Sequence, residues 1–171
     1  MSLYESDGVQ WKLVSNVSSA YAAPTVGDDY YAVGVSVSAG SETTVSWTSG
    51  GPGLGGAGGS FLVSGQPTKI QVVSPGTYAC MLQFGVSTGT AGSAFLTGIL
   101  NIPTSATFAQ SLGLTDIGSG SETKFASVSA TPYLPASFVY PTGAEAITVT
   151  IQNWDSSTWS VVCNLWIQKV T

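Results

Sequence analysis

The side chains that most often do chemistry are scarce in this chain of 171 residues. It has no histidine to act as a general base near neutral pH and no arginine to clamp an oxyanion or a phosphate. Its carboxylates are Glu5, Asp7, Asp28, Asp29, Glu42, Asp116, Glu122, Glu145 and Asp155. A glycosidase needs two of these facing each other across the scissile bond, and no pattern of acids and aromatics nominates such a pair. Asp28-Asp29 and Glu5-x-Asp7 offer oxygen ligands of the kind calcium takes, but calcium collects about six to eight of them. Adjacent acids in a glycine-flanked loop are ordinarily just solvated. Two cysteines without a histidine do not make a zinc or iron–sulfur set. The expectation is no enzyme, no metal and no cofactor.

What remains is two thiols and a set of aromatic rings. Cys80 and Cys163 are too few for a disulfide framework in a chain of this length. Both fall in the apolar phase of an alternating run, so buried free thiols are the preferred reading and a disulfide the alternative. Few cations surround them, which argues against a reactive nucleophile. Trp47, Trp154, Trp159 and Trp166, with Tyr133 and Tyr140, exceed what one core of this size must hide. Two readings stay open for them: contacts to a neighbouring subunit or ligand, or a core that takes aromatics from two sheets. Tyr30-Tyr31, Tyr133 and Trp154 lie near turns, where a carbohydrate would stack.

The elements that position these residues are strands. Apolar residues make up 43% and charged residues only 8%, against roughly a quarter charged in ordinary domains. Such a chain has too few charges for salt-bridged amphipathic helices, and its Ser, Thr, Asn, Gln and glycine suit strands and tight turns. The net charge of −5 argues against nucleic acid and against an anionic membrane surface. No apolar run reaches the roughly 20 residues that span a bilayer, so no membrane insertion is expected. The polar, acidic start from Met1 to Gly8 does not read as a secretory signal, and Asn16-Val17-Ser18 is a chance match to a glycosylation sequon.

Period-two alternation marks the strands. The clearest is Thr77 to Val86, in which Tyr78, Cys80, Leu82, Phe84 and Val86 share one phase. Trp159 to Val170 alternates Trp159, Val161, Cys163, Leu165 and Ile167 against Val162, Asn164, Trp166 and Gln168. Tyr30 to Val37 alternates Tyr31, Val33, Val35 and Val37 against Ala32, Gly34 and Ser36. Further strands are expected at Val9–Val14, Thr43–Thr48, Phe61–Val63, Thr68–Val73, Ala94–Ile102, Glu122–Ala130 and Ala146–Ile151. Ser105 to Thr115 is the one plausible helix. Ser49 to Ser60 is a glycine-rich loop without the Gly-Lys-Ser/Thr ending of a phosphate cradle. About nine or ten strands separated by Gly/Pro/Ser turns predict an all-β antiparallel sandwich.

The order of the pieces adds a resemblance. A β segment leads to Pro75-Gly76-Thr77-Tyr78 and a long strand. Strands at Gly98-Ile99-Leu100-Asn101 and Ser127-Val128-Ser129-Ala130 follow. A Tyr140-Pro141-Thr142-Gly143 corner opens Ile147–Ile151, and Leu165-Trp166-Ile167 closes the chain. Over residues 43–171 this resembles the two-sheet jelly roll of the complement globular head and tumour necrosis factor superfamily. Residues 1–42 depart from that pattern and are assigned to an N-terminal arm with an extra strand. The resemblance implies a homotrimer with aromatics on the inter-subunit sheet, and it makes the strands of Cys80 and Cys163 neighbours. It also implies a non-enzymatic virion protein of a tailed bacteriophage: a tail-tip, fibre or surface appendage for host attachment, bound to other virion proteins through the arm. A trimeric capsid decoration protein and an extracellular lectin-like module are the alternatives. The partner on the host would be a surface carbohydrate or protein.

Overall fold

Tyr78, Cys80, Leu82, Phe84 and Val86 on one strand, and Trp159, Val161, Cys163, Leu165 and Ile167 on another, are all buried. Alternation sends every second side chain of a strand to the same face, so these two runs form the floor of one core. The computed structural model describes residues 4–6, 11–13, 27–47, 59–86, 92–103, 106–117 and 125–170. Thirteen strands lie among them: β1 (Tyr4–Ser6), β2 (Trp11–Leu13), β3 (Asp28–Val37), β4 (Glu42–Thr44), β5 (Ser60–Leu62), β6 (Ile70–Val72), β7 (Gly76–Val86), β8 (Gly92–Ile102), β9 (Ala106–Ile117), β10 (Phe125–Ala130), β11 (Tyr133–Leu134), β12 (Thr148–Asn153) and β13 (Trp159–Lys169). A single 3-10 turn at Ala136–Phe138 is the one helical piece among the described residues.

Two sheets carry the fold. The first runs in the order β10-β7-β13-β3, with β11 added beside β7, and the second in the order β4-β12-β8-β9. Consecutive strands repeatedly change sheet, while β3 and β4 from early in the chain pair antiparallel with β13 and β12 from its end. That wrapping is a jelly roll, and the protein is an all-β antiparallel two-sheet sandwich. β1 and β2 form a separate hairpin, and β5 and β6 another. The second hairpin joins the sandwich where Ile70 and Ile147 exchange backbone hydrogen bonds of 3.0 and 2.8 Å.

The interior is aliphatic and aromatic on both sides. Leu96, Leu100 and Ile102 of β8 and Val149 and Ile151 of β12 face the first sheet from the second. Each such side chain contributes about 1.5–3 kcal/mol by leaving water. Gly98 on β8 is required by close approach: a Cβ there would collide with the ring of Phe84 on the opposite sheet. The glycine is the socket into which that ring fits.

Three expectations need correction. Ser105–Thr115 is not a helix. Residues 106–115 of that stretch fall in β9, which pairs with β8 from Ile102↔Ala106 to Gly92↔Ile117, and residue 105 lies outside the described residues. The free edge of β8 recruits this segment into a ladder that no local propensity announces. Second, Tyr30–Val37 does not belong to an arm. β3 pairs along β13 from Trp159↔Val37 to Ile167↔Asp28, so this strand of the 1–42 assignment belongs to the sandwich; most of the residues before Gly27 lie outside the described residues. Third, β3 does not keep one phase. The register slips between Val161 and Cys163 of β13, opposite Val33-Gly34, and Gly34 sits in the left-handed region at φ 70°. This bulge turns Tyr30 and Ala32 inward on one side of it and Val37 inward on the other, leaving Tyr31 and Val33 exposed. The hairpin β1–β2 and the short β11 carry no alternation long enough to have been anticipated in full.

Candidate functional site

The thiols lie on adjacent strands but not side by side. Cys163 stands opposite Phe84, and Cys80 opposite Ile167. That four-residue offset is about 13 Å along a strand, and a disulfide needs Cα atoms within about 7 Å. Both cysteines are free and buried, and burial pushes each thiol up to about 12. They are neutral core side chains, not nucleophiles or a redox pair.

Asp28, raised above as a calcium ligand, is also interior. Its Oδ2 accepts hydrogen bonds of 2.8 Å from the backbone N–H and from the hydroxyl of Ser60. The single Ser60 hydroxyl proton is thereby used, so the Tyr30 hydroxyl donates to Ser60 Oγ at 2.8 Å. Burial raises the Tyr30 phenol well above its ordinary range, only partly offset by the Ser60 contact. This network ties the start of β3 to β5. Among the described residues no three metal-ligating side chains come together, and no helix is long and apolar enough to cross a membrane.

The aromatic residues separate into four groups. Trp47 and Trp159 are core residues, at 3% and 2% exposure, which removes them from the set of surface or ligand contacts. Trp47 lies 6.3 Å from the Tyr30 ring, and its indole N–H has no hydrogen-bond partner among the described residues. Trp159 donates to Asp155 Oδ2 at 3.2 Å. Tyr140 stands at one end of the sandwich with its ring 5.8 Å from Phe61. Tyr133 and Trp166 lie on the outer face of the first sheet, and Trp154 on the outer face of the second.

The outer face of the first sheet is the larger feature. Its cross-strand rows are Ser129–Met81–Trp166–Asp29 and Ser127–Gln83–Asn164–Tyr31, flanked by Tyr133 and Val170 beside Thr77 at one end and Val33 at the other. Tyr31, Val33, Met81, Tyr133 and Val170 account for most of the exposed large hydrophobic side chains among the described residues. Asp29 is the single charge in these rows. A concavity of about 200 Å³ at the centre is lined by Asp29, Met81, Gln83, Asn164 and Trp166. Gly27 lies against the Trp166 indole, where a Cβ would collide with the ring. Within the concavity's lining, Asn164 Oδ1 is a buried acceptor with no hydrogen-bond partner among the described residues.

The second sheet presents a different surface. Sequence reading singled out Trp154 but not the residue that positions it. Asn153 is fully buried. Its Nδ2 donates to the carbonyls of Val37, Ser38 and Ser157 at 3.1, 3.1 and 2.7 Å, and its Oδ1 accepts from the Asp155 N–H at 2.9 Å. Asp155 in turn is held below the usual carboxylate range, first by the Ser156 backbone N–H. A lone Asn between a strand and a Trp-Asp-Ser-Ser turn was the only signal in the sequence.

No protein-family model and no curated protein matches the chain. Solved structures do. The PRD1 vertex protein P5 matches with a TM-score of 0.56 at 14% identity, over 86% of this chain and 98% of its own. The globular domain of zebrafish complement 1qA matches with a TM-score of 0.48 at 14% identity, over 85% of this chain and 98% of its own. The Eiger tumour necrosis factor of S. frugiperda matches with a TM-score of 0.40 at 13% identity, over 85% of this chain and 92% of its own. The likeness to the vertex protein, a jelly-roll fold, agrees with the resemblance read from the order of the strands. At such identities the likeness is one of fold.

Proposed function

We propose that the protein is a non-enzymatic structural protein of a tailed-bacteriophage virion, a homotrimer that forms a surface appendage engaged in host attachment. The observation that carries this is the outer face of the β10-β7-β13-β3 sheet. It gathers Tyr31, Val33, Met81, Tyr133, Trp166 and Val170 around one charge and a buried acceptor unpaired among the described residues. Isolated exposed apolar residues are ordinary, but a contiguous patch marks a surface that is covered. Copies of this chain are the natural cover, because the patch is nearly neutral and a trimer would bring three equivalent faces together. The fold likeness to a vertex protein supports placing the trimer on a particle. In this reading the contact with other virion proteins is made through the N-terminal segment before Gly27, most of which lies outside the described residues.

Native mass spectrometry of the full chain tests the assembly and should give three times the 17.4 kDa chain mass. Met81→Asp places a second carboxylate one strand beyond Trp166 from Asp29, and should yield a folded monomer with unchanged far-UV circular dichroism. A monomeric wild-type protein, or a variant that remains trimeric, refutes the interface. Antibody labelling of purified particles tests the location, and a particle that carries no label refutes the virion assignment.

A further inference from the structure

The outer face of the second sheet has the chemistry of a site for a neutral glycan. Trp154 is 62% exposed and Phe95 48% exposed. They are cross-strand neighbours, since the Trp154 N–H donates to the Phe95 carbonyl at 2.9 Å, so both rings stand on the same side of the sheet. The indole is fixed at its other end too: its N–H donates to Thr97 Oγ1 at 3.0 Å. Burial does not hold this ring in place. Two hydrogen bonds do, together with the Asn153 clamp beneath it.

The surroundings decide what such a ring can accept. Thr97 pairs with Gln152, Ile99 with Thr150 and Asn101 with Thr148, and all of these project on the Trp154 side. Asn101 Nδ2 also donates to Thr150 Oγ1 at 3.0 Å. The patch is therefore two exposed rings bordered by amides, hydroxyls and the half-buried Ile99, with Glu42, opposite Gln152, as its charge among the described residues. Among the described residues it contains no cation for a phosphate or sulfate. A protein hot spot would surround its tryptophan with apolar contacts that exclude water, and here Phe95 and Ile99 are interleaved with Thr97, Gln152, Thr150 and Asn101. An aromatic face covers the C–H face of a pyranose, while side-chain amides and hydroxyls meet its ring hydroxyls. The indole is also already ordered, so little conformational freedom is lost on binding.

We infer that Trp154 and Phe95, with Gln152 and Thr97, form a binding platform for a neutral oligosaccharide. The biological role rests on the host-attachment reading, and supplies its ligand class. Binding itself needs only one chain. The second sheet lies across the sandwich from the proposed trimer face, so both surfaces can be used at once.

The test titrates the full-length protein with neutral hexasaccharides of glucose, mannose, galactose and N-acetylglucosamine, followed by calorimetry and tryptophan fluorescence. At least one should bind, and Trp154→Ala should weaken it roughly tenfold or more. Thr97→Val, which leaves the ring but frees the indole, should weaken it several-fold, and Thr97→Ser should restore it. Because Trp154 is largely exposed, its variant should keep the wild-type circular dichroism and oligomeric mass. Absence of binding to every hexasaccharide up to roughly 10 mM overturns the proposal. So does binding that Trp154→Ala leaves unchanged. Either result obtained on an intact trimer leaves the assembly standing, whereas a monomer that binds glycan in this way refutes the assembly and retains the site.

Discussion

Replacing Asn153 probes the turn that presents Trp154. The residue is fully buried, and its amide meets three backbone carbonyls and one backbone N–H. These contacts are not equivalent. The bond to Val37 O is buried, whereas those to Ser38 O and Ser157 O are only part-buried and can recover water. Stranding one buried carbonyl costs about 1–3 kcal/mol, and each contact that water replaces costs about 0.5–1.5 kcal/mol or less. Asn153→Ala should therefore destabilise the protein by about 2–4 kcal/mol, read from urea midpoints at one fixed protein concentration, since subunit association makes apparent stability depend on concentration. Asn153→Asp should be worse at pH 7, because it turns a carboxylate oxygen toward the carbonyls the amide served. Its native pKa would lie above the unfolded value of about 3.9. The extra loss then develops as pH rises through that value and shrinks when the pH is lowered below it. An alanine variant within about 1 kcal/mol of wild type, or an aspartate variant no worse than alanine at pH 7, refutes the assignment of Asn153 as the clamp.

Two further perturbations address the core. Gly98→Ala drives a methyl group into the Phe84 ring and should cost about 1–3 kcal/mol as overpacking; pairing it with Phe84→Leu should recover part of the loss, and additive losses in thermal melts would refute the contact. The two thiols make stability fall in alkali. Each is raised by burial from 9.0 to about 12, so its contribution is fully present below about pH 9 and is lost as pH rises toward 12. The double variant Cys80→Ala, Cys163→Ala should flatten that decline, and the native protein should resist a thiol reagent at pH 8 until denaturant is added; rapid labelling of the folded chain contradicts the burial.

Much of the fold was legible because a strand writes its burial locally. Tyr78 to Val86 and Trp159 to Ile167 alternate in the sequence and alternate in the structure, since a period of two needs no information from elsewhere. The turn residues between such runs separated the strands, and their order suggested the jelly roll. The site was less legible. Trp47, Trp154 and Trp159 are the same residue type near similar turns, yet two are core and one is a surface platform. Exposure depends on which element covers a ring, and that element comes from a distant part of the chain.

The sequence by itself determined the strand-rich class, the inward phase of the two central strands and the poverty of catalytic groups, because composition and alternation are properties of short windows. Only the tertiary structure decided the rest. It drew Ala106–Ile117 into a strand by offering it the edge of β8, and it reversed the phase of β3 at Gly34 through pairing with β13. It set Cys80 and Cys163 four residues out of register. It also placed Tyr31, Met81, Tyr133 and Trp166 on one face and Phe95 and Trp154 on another. Register and cross-sheet packing are non-local, so two potential surfaces built from scattered residues become visible only once the strands are paired.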